Sequence, residues 1–179
     1  LVYEGELPLT IIGTGQTITT MENITLLTAS NGASLNIIGV NFAGPGGFDI
    51  NNQSPEGEAA GKGMFIDVRD DQTGTVKLVM KNVTVSGVAN HGVHVSDCDL
   101  ADDCGGGGGG AGGGSDAQIV VDFDTVTIDN VGQGKFDADG LRVDERGDGN
   151  IVFTATNSLF TRVGADGVEL DEGQDGVVR

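Results

Sequence analysis

Apolar residues along this chain recur at every second position, in short runs closed off by glycines and polar corners. The clearest runs are GMFIDV (63–68), GVHVSD (92–97), GLRVDE (140–145) and GVELDE (167–172). Each opens on glycine and continues apolar-x-apolar, and a period of two is the mark of a short strand with one face turned inward. A second family lies between them. PLTIIGTG (8–15) and SLNIIGVN (34–41) match at a fixed offset, and VKLVMKNVTVSGV (76–88), IVVDFDTVTIDNV (119–131) and IVFTATNSLFTRV (151–163) continue the series. In the last three, alternation stops at a polar corner, Asn82, Thr125 or Asn157, and then resumes up to a closing valine. No segment carries a 3.6-residue stripe over three turns, so helices are not expected.

Internal repetition at this spacing decides the expected fold. A unit of about 27 residues holding two or three strands cannot bury its apolar face alone, and stacking units in register does so. The chain is therefore expected to be all-β, a stack of about five such units whose strands pair in parallel sheets, forming one domain over 1–179. The one wide gap between glycine-led strands contains CDLADDCGGGGGGAGGGSDA, a Gly-rich loop insertion assigned to 97–117. Leucine-rich repeats would need denser leucine and a shorter period. Small up-and-down barrels would not give strand families matching at a constant offset.

These glycine-led strands, the LTIIG and LNIIG pair and the Asn/Thr corners make the chain resemble the right-handed parallel β-helix proteins of the pectin-lyase-like superfamily. The resemblance runs along nearly the whole chain but is one of fold, and fold alone does not give function. Motifs that would narrow the chemistry, NTDG, GHG and RIK of the polygalacturonase type or a YGFDPH-like epimerase signature, are absent from the sequence.

Composition then bounds the partners. The 179 residues include 32 glycines and no tryptophan, and only 4% are aromatic, as suits a narrow core filled by Val, Ile and Leu. With 27 acidic residues against 9 basic ones the formal charge is −18, which repels nucleic acid and anionic membrane surfaces. It suggests cation binding, or a saline setting where repulsion is screened. No apolar run is long enough to span a membrane, and the first residues, LVYEGELPLT, do not form a secretory signal. Ending just after a repeat, the chain reads as a piece of a longer protein. Cys98 and Cys104 lie in DCDLADDC, where a local disulfide would favour an oxidising compartment and two free thiols are the alternative.

The candidate chemistry comes from DGLRVDERGDG (139–149) and DGVELDEGQDG (166–176), which say nearly the same thing twice. Stacking the glycine-led strands in register puts Phe65, His94, Arg142 and Glu169 in one outward column. Asp67, Ser96, Asp144 and Asp171 form the next, and Val68, Asp97, Glu145 and Glu172 follow. Carboxylates on adjacent rungs would lie about 4.8 Å apart, and like charges at that spacing need compensation. Arg142 and Arg146 could supply it, with an ion pair between Arg142 and Glu169. Splaying into solvent is a second answer. The third is Ca2+ held by Asp144, Asp171, Glu145, Glu172, Asp148 and Asp175, since calcium takes six to eight oxygens from carboxylates and carbonyls. EF-hand spacing is absent.

Two functions follow. The first is a structural or binding module of a bacterial secreted or cell-surface protein, calcium-stabilised and contacting extracellular polysaccharide or another surface protein. Open sheet edges would let copies associate end to end. The second is a polysaccharide lyase or glycoside hydrolase acting on an acidic glycan. In lyases of the resembling superfamily calcium neutralises the acidic sugar and an Arg or Lys takes the proton. Here Arg142 would be that base and His94 a general acid or base, with Asp97 and Glu169 as binding residues. Carboxylates close enough for hydrolysis come free with a ladder of this kind, so proximity alone carries little weight. His91 needs only a turn role, and the glycine run at 105–114 lacks the Lys-Ser/Thr and helix of a phosphate loop. Thr84 beside Thr127 hints at an ice-binding ladder, but the next rung offers Leu159.

Overall fold

The computed structural model describes residues 1–55, 59–98 and 114–179. They form an all-β protein in which every strand pair is parallel. The strands are β1 (Val2–Tyr3), β2 (Leu9–Thr19), β3 (Leu27–Ala29), β4 (Leu35–Ala43), β5 (Met64–Asp67), β6 (Thr75–Ser86), β7 (Val93–Ser96), β8 (Gln118–Val131), β9 (Leu141–Glu145), β10 (Ile151–Thr156), β11 (Leu159–Val163) and β12 (Val168–Glu172). Through most of the chain, successive strands alternate between two sheets. The first sheet runs β1-β3-β5-β7-β9-β12, and the second runs β2-β4-β6-β8-β10, with β11 also paired to β8. Among the described residues no helix is long and apolar enough to cross a membrane.

Register stacks like on like. In the second sheet Leu9, Leu35, Leu78, Val121 and Phe153 share one column, and Ile18, Phe42, Val85, Ile128 and Phe160 another. In the first, Met64, Val93, Leu141 and Val168 are in line, as are Ile66, Val95, Val143 and Leu170. The central members of these columns are buried and make one apolar core. Each such side chain contributes about 1.5–3 kcal/mol on leaving water.

The polar corners have a specific job. Gly39, Asn82, Thr125 and Asn157 all adopt left-handed backbone, with φ of 63°, 51°, 59° and 53°. Each places two outward residues in succession, as Lys81 and Asn82 lie between buried Met80 and Val83. Parity is thereby reset, and both halves of a bent strand aim their apolar residues inward. Glycine and asparagine take this conformation readily, whereas a β-branched residue is strained in it. At Thr125 the hydroxyl donates to Asp124 Oδ1 at 3.0 Å.

The strand-leading glycines have another. A Cβ on Gly63 would lie 2.3 Å from the Gly92 carbonyl, one on Gly92 2.7 Å from that of Gly140, and one on Gly140 2.4 Å from that of Gly167. Successive backbones touch there, and only glycine lets them.

The outward columns depart from expectation. Phe65-His94-Arg142-Glu169 and Asp67-Ser96-Asp144-Asp171 form in the expected register, but only their β12 members, Glu169 and Asp171, keep partial contact with solvent. β5, β7 and β9 are buried at every position, and His94, Ser96, Asp144 and Glu145 have no exposed surface. Between β4 and β5 the chain makes an excursion whose described residues pack back near the first sheet. Ser54 bridges in parallel to Lys135, Gln53 Nε2 donates to the Gly132 carbonyl at 3.0 Å, and Lys62 Nζ sits 4.7 Å above the Phe65 ring. Beyond it, Ser115 N donates to Asp97 Oδ2 at 2.7 Å, tying the far arm of the Gly-rich insertion to the end of β7. The body of that insertion, 99–113, lies outside the described residues.

Candidate functional site: a buried ion-pair array

The outward face of β7, β9 and β12 gathers the polar residues that the repeat placed in columns. Asp144, on β9, is at the centre. Its Oδ2 is 2.7 Å from His94 Nε2 on β7, and Arg142 Nε donates to its two oxygens at 3.0 and 3.2 Å. Arg142 Nη1 reaches on to Glu169 Oε2 at 3.1 Å, so the expected ion pair between neighbouring strands is present. Arg146 Nη2 donates to Asp171 Oδ2 at 2.8 Å. Of the three ways to relieve stacked carboxylates, arginine pairing is the one these contacts use.

Burial sets the protonation states. Burial would push Asp144 up, but the hydrogen bond and charge of His94 together with Arg142 outweigh it and hold the carboxyl at about 2. His94 is driven down to about 3, first by burial and then by the Lys62 ammonium, against the pull of Asp144. His91 falls to about 3 through burial, with Lys62 and Arg142 adding to it. At neutral pH His94 is therefore a neutral imidazole donating Nε2–H to an ionised aspartate. Its Nδ1 is buried with no hydrogen-bond partner, and the ring is flanked by Phe65 and His91 at centroid distances of 5.3 and 4.9 Å.

The remaining carboxylates fall into two further groups. Burial, and then the hydrogen bond and charge of Asp97, push Glu145 up to about 8; its Oε1 accepts from the backbone N–H of Gly147 and Gly149 at 2.9 and 3.3 Å. Asp97 accepts from Ser115 and from Arg146 N at 2.9 Å, and burial raises its pKa as well. The second group is Asp139, Asp166 and Glu169, which offer one oxygen each within 4.8 Å of one another. Burial lifts Asp139 to about 6, against a hydrogen bond from Asp166 N. Burial likewise lifts Glu169 to about 7, and there Asp139 adds to the rise while Arg142 opposes it.

The residues expected from sequence thus separate. His94, Arg142, Asp144 and Glu169 join one network, with Asp171 attached through Arg146. Asp97 and Glu145 pair beside it. Glu172 Oε1 instead closes its own turn, accepting from Gln174 N and Gly176 N at 2.8 and 3.1 Å, while Asp148 and Asp175 are exposed. Sequence reasoning misses Asp139 and Asp166, although they hold the same place before a strand-leading glycine in both copies of the repeat. That shared place is the available signal. Cys98 is disulfide-bonded, and Cys104 lies outside the described residues.

The second sheet's outward face differs. Lys81 pairs with Asp124 at 2.9 Å, both well exposed, beside an open cleft of about 520 Å³ lined by Val79, Asp122, Thr156 and Asn157 among others.

Fold and site together define an all-β protein of stacked parallel strands that carries a charged network inside its walls. No protein-family model, curated protein or solved structure matched the chain.

Proposed function

We propose that the chain is a right-handed parallel β-helix module of an extracellular or cell-surface protein, catalytically silent, stabilised by Ca2+ and used as a stiff structural or binding element. The solenoid reading is supported by the alternation of strands between two parallel sheets and the unbroken residue columns, and its right hand is the one that parallel crossover connections nearly always take. One observation carries the absence of catalysis: the groups suited to proton transfer, His94 and Asp144, have no exposed surface, and Arg142 is only 3% exposed. A general base must come within hydrogen-bond reach of the proton it takes, and no glycan reaches these atoms without displacing what covers them.

Binding then falls to the exposed faces. The cleft beside Lys81, Asp122, Asp124, Thr156 and Asn157 is polar and open, which suits a hydroxyl-rich polysaccharide or the polar rim of a partner protein. End-to-end association of copies belongs to the same reading, since an unpaired strand edge invites pairing. Incubation with pectate, alginate and other acidic glycans tests the absence of catalysis, with new reducing ends and ultraviolet absorbance of unsaturated products as readouts. The expected result is no product, whether or not the chain is retained on a glycan affinity gel. Product formation that disappears in Arg142→Ala but persists in Lys81→Ala would establish the lyase instead.

A further inference from the structure

We propose that Asp139, Asp166 and Glu169 form a binding site for a hard divalent cation, Ca2+ by preference, at the start of β9 and β12. This site deepens the calcium-stabilised reading and rests on it, but it moves the ion away from the residues the repeat first suggested. Asp139 and Asp166 precede the leading glycines of two adjacent strands, Glu169 lies on the second strand, and one oxygen from each falls within 4.8 Å of the others. A calcium ion bridges a gap of about this size at Ca–O distances of roughly 2.3–2.6 Å.

Proximity of acids would mean little alone, since the stack produces it anyway. Asp139 Oδ2 is what sets this cluster apart. The Asp139 side chain has no exposed surface, and this oxygen accepts no hydrogen bond from a nitrogen or hydroxyl; when Asp139 and Glu169 are both ionised it is unpaired, and only a proton shared with Glu169 would pair it. One neighbour is His91 Nδ1 at 3.5 Å, but that nitrogen already accepts the backbone N–H of Asp139 itself at 2.9 Å. Two acceptors therefore face each other with no hydrogen between them. The other neighbour is Arg142 Nη1 at 3.6 Å, too long for a hydrogen bond and already donating to Glu169 at 3.1 Å. A buried carboxylate oxygen left this way is costly. A cation aimed at by that oxygen removes the cost.

The chemistry of the donors selects the ion. All three are carboxylate oxygens, and the nearby imidazole nitrogen is occupied, so a soft or nitrogen-seeking metal gains nothing here. Three carboxylates face one guanidinium that is shared with Asp144. Asp166 is exposed and Glu169 half-buried, which gives the ion a route from solvent and leaves room for water to complete its shell. Calcium tolerates such an irregular shell, whereas magnesium demands a near-ideal octahedron. Asp139 Oδ1 accepts Asp166 N at 3.0 Å and holds the two turns together around the site.

Isothermal titration of the whole chain with CaCl2, after stripping with chelator, tests this with three proteins: wild type, Asp166→Asn and Asp175→Asn. Asp175 is an exposed acid from the alternative set. Expected are binding by wild type and Asp175→Asn alike, at least tenfold weaker binding by Asp166→Asn, and equal melting temperatures of all three in chelator. Equal affinity of Asp166→Asn and wild type would overturn this site while leaving calcium stabilisation in place elsewhere. Absence of binding by the wild type would overturn the site and the calcium part of the reading together; the glycan assays above decide the catalytically silent module independently. A melting temperature of Asp166→Asn lowered in chelator would show a structural role of that side chain. Asp166→Ser is then titrated in the same way: binding at least tenfold weaker than wild type supports the site, and unchanged binding overturns it.

Discussion

The outward faces of the two sheets are built from the same alternating pattern, and they end in opposite states. On the second sheet Lys81 and Asp124 stand in water, and Arg162 pairs with Asp129 at the rim. On the first, His94, Arg142 and Asp144 are shut in. The difference comes from packing against the sheets, not from the strands. Charges in water are screened and contribute little to stability, whereas the same types without water must be paired, and breaking one pair leaves the other charge stranded. Position in the alternation tells which side of a sheet a residue takes. It does not tell whether that side is wet.

Substitutions probe the contrast, beginning with the largest effect. Arg142→Ala strands Asp144 in a dry wall, leaves the half-buried Glu169 without its partner, and is expected to cost about 3–5 kcal/mol in urea denaturation; a loss under about 1 kcal/mol, the range of exposed pairs, would mean that water reaches the network. Gly92→Ala puts a Cβ 2.7 Å from the Gly140 carbonyl and from Ile128 Cγ2. It should cost about 1–3 kcal/mol as an overpacked contact, and a neutral result would show that the strand starts can separate.

Smaller is the pH effect of Glu145→Gln. Glu145 has its ordinary value near 4.5 when unfolded and about 8 when folded. Its favourable contribution is therefore complete below about 4.5 and is lost as pH rises through 8. His91 and His94, lowered from 6.5 to about 3, act oppositely: their contribution is complete above 6.5 and is lost as pH falls through 3. Glu145→Gln should make the decline of melting temperature between about pH 5 and 8 less steep and leave the acid side unchanged. An unaltered profile would remove the claim that Glu145 folds protonated. The smallest effect belongs to Lys81→Ala, whose melting curve should overlay that of the wild type. A clear shift would place the second sheet's face in the same class as the first.

The core columns were legible because inward and outward positions of a strand differ in kind, and a constant offset reveals which strands stack. The corners at Asn82, Thr125 and Asn157 were legible too, as breaks in the alternation. The excursion between β4 and β5 was not. It carries no alternation, and its docking depends on contacts to Gly132 and Gly134 that lie 79 to 80 residues away and on a bridge from Ser54 to Lys135. Asp139 looks like a turn residue because nothing in DGLRV reports that its side chain will be sealed.

What the sequence determined by itself was the set of residues that share a column, because period-2 alternation and a recurring glycine are local facts repeated along the chain. Only the tertiary structure decided which columns would be dry. Cover comes from segments distant in sequence, and desolvation, not residue type, turned an acidic ladder into an array of ion pairs with Asp139 Oδ2 and Glu145 Oε2 left over.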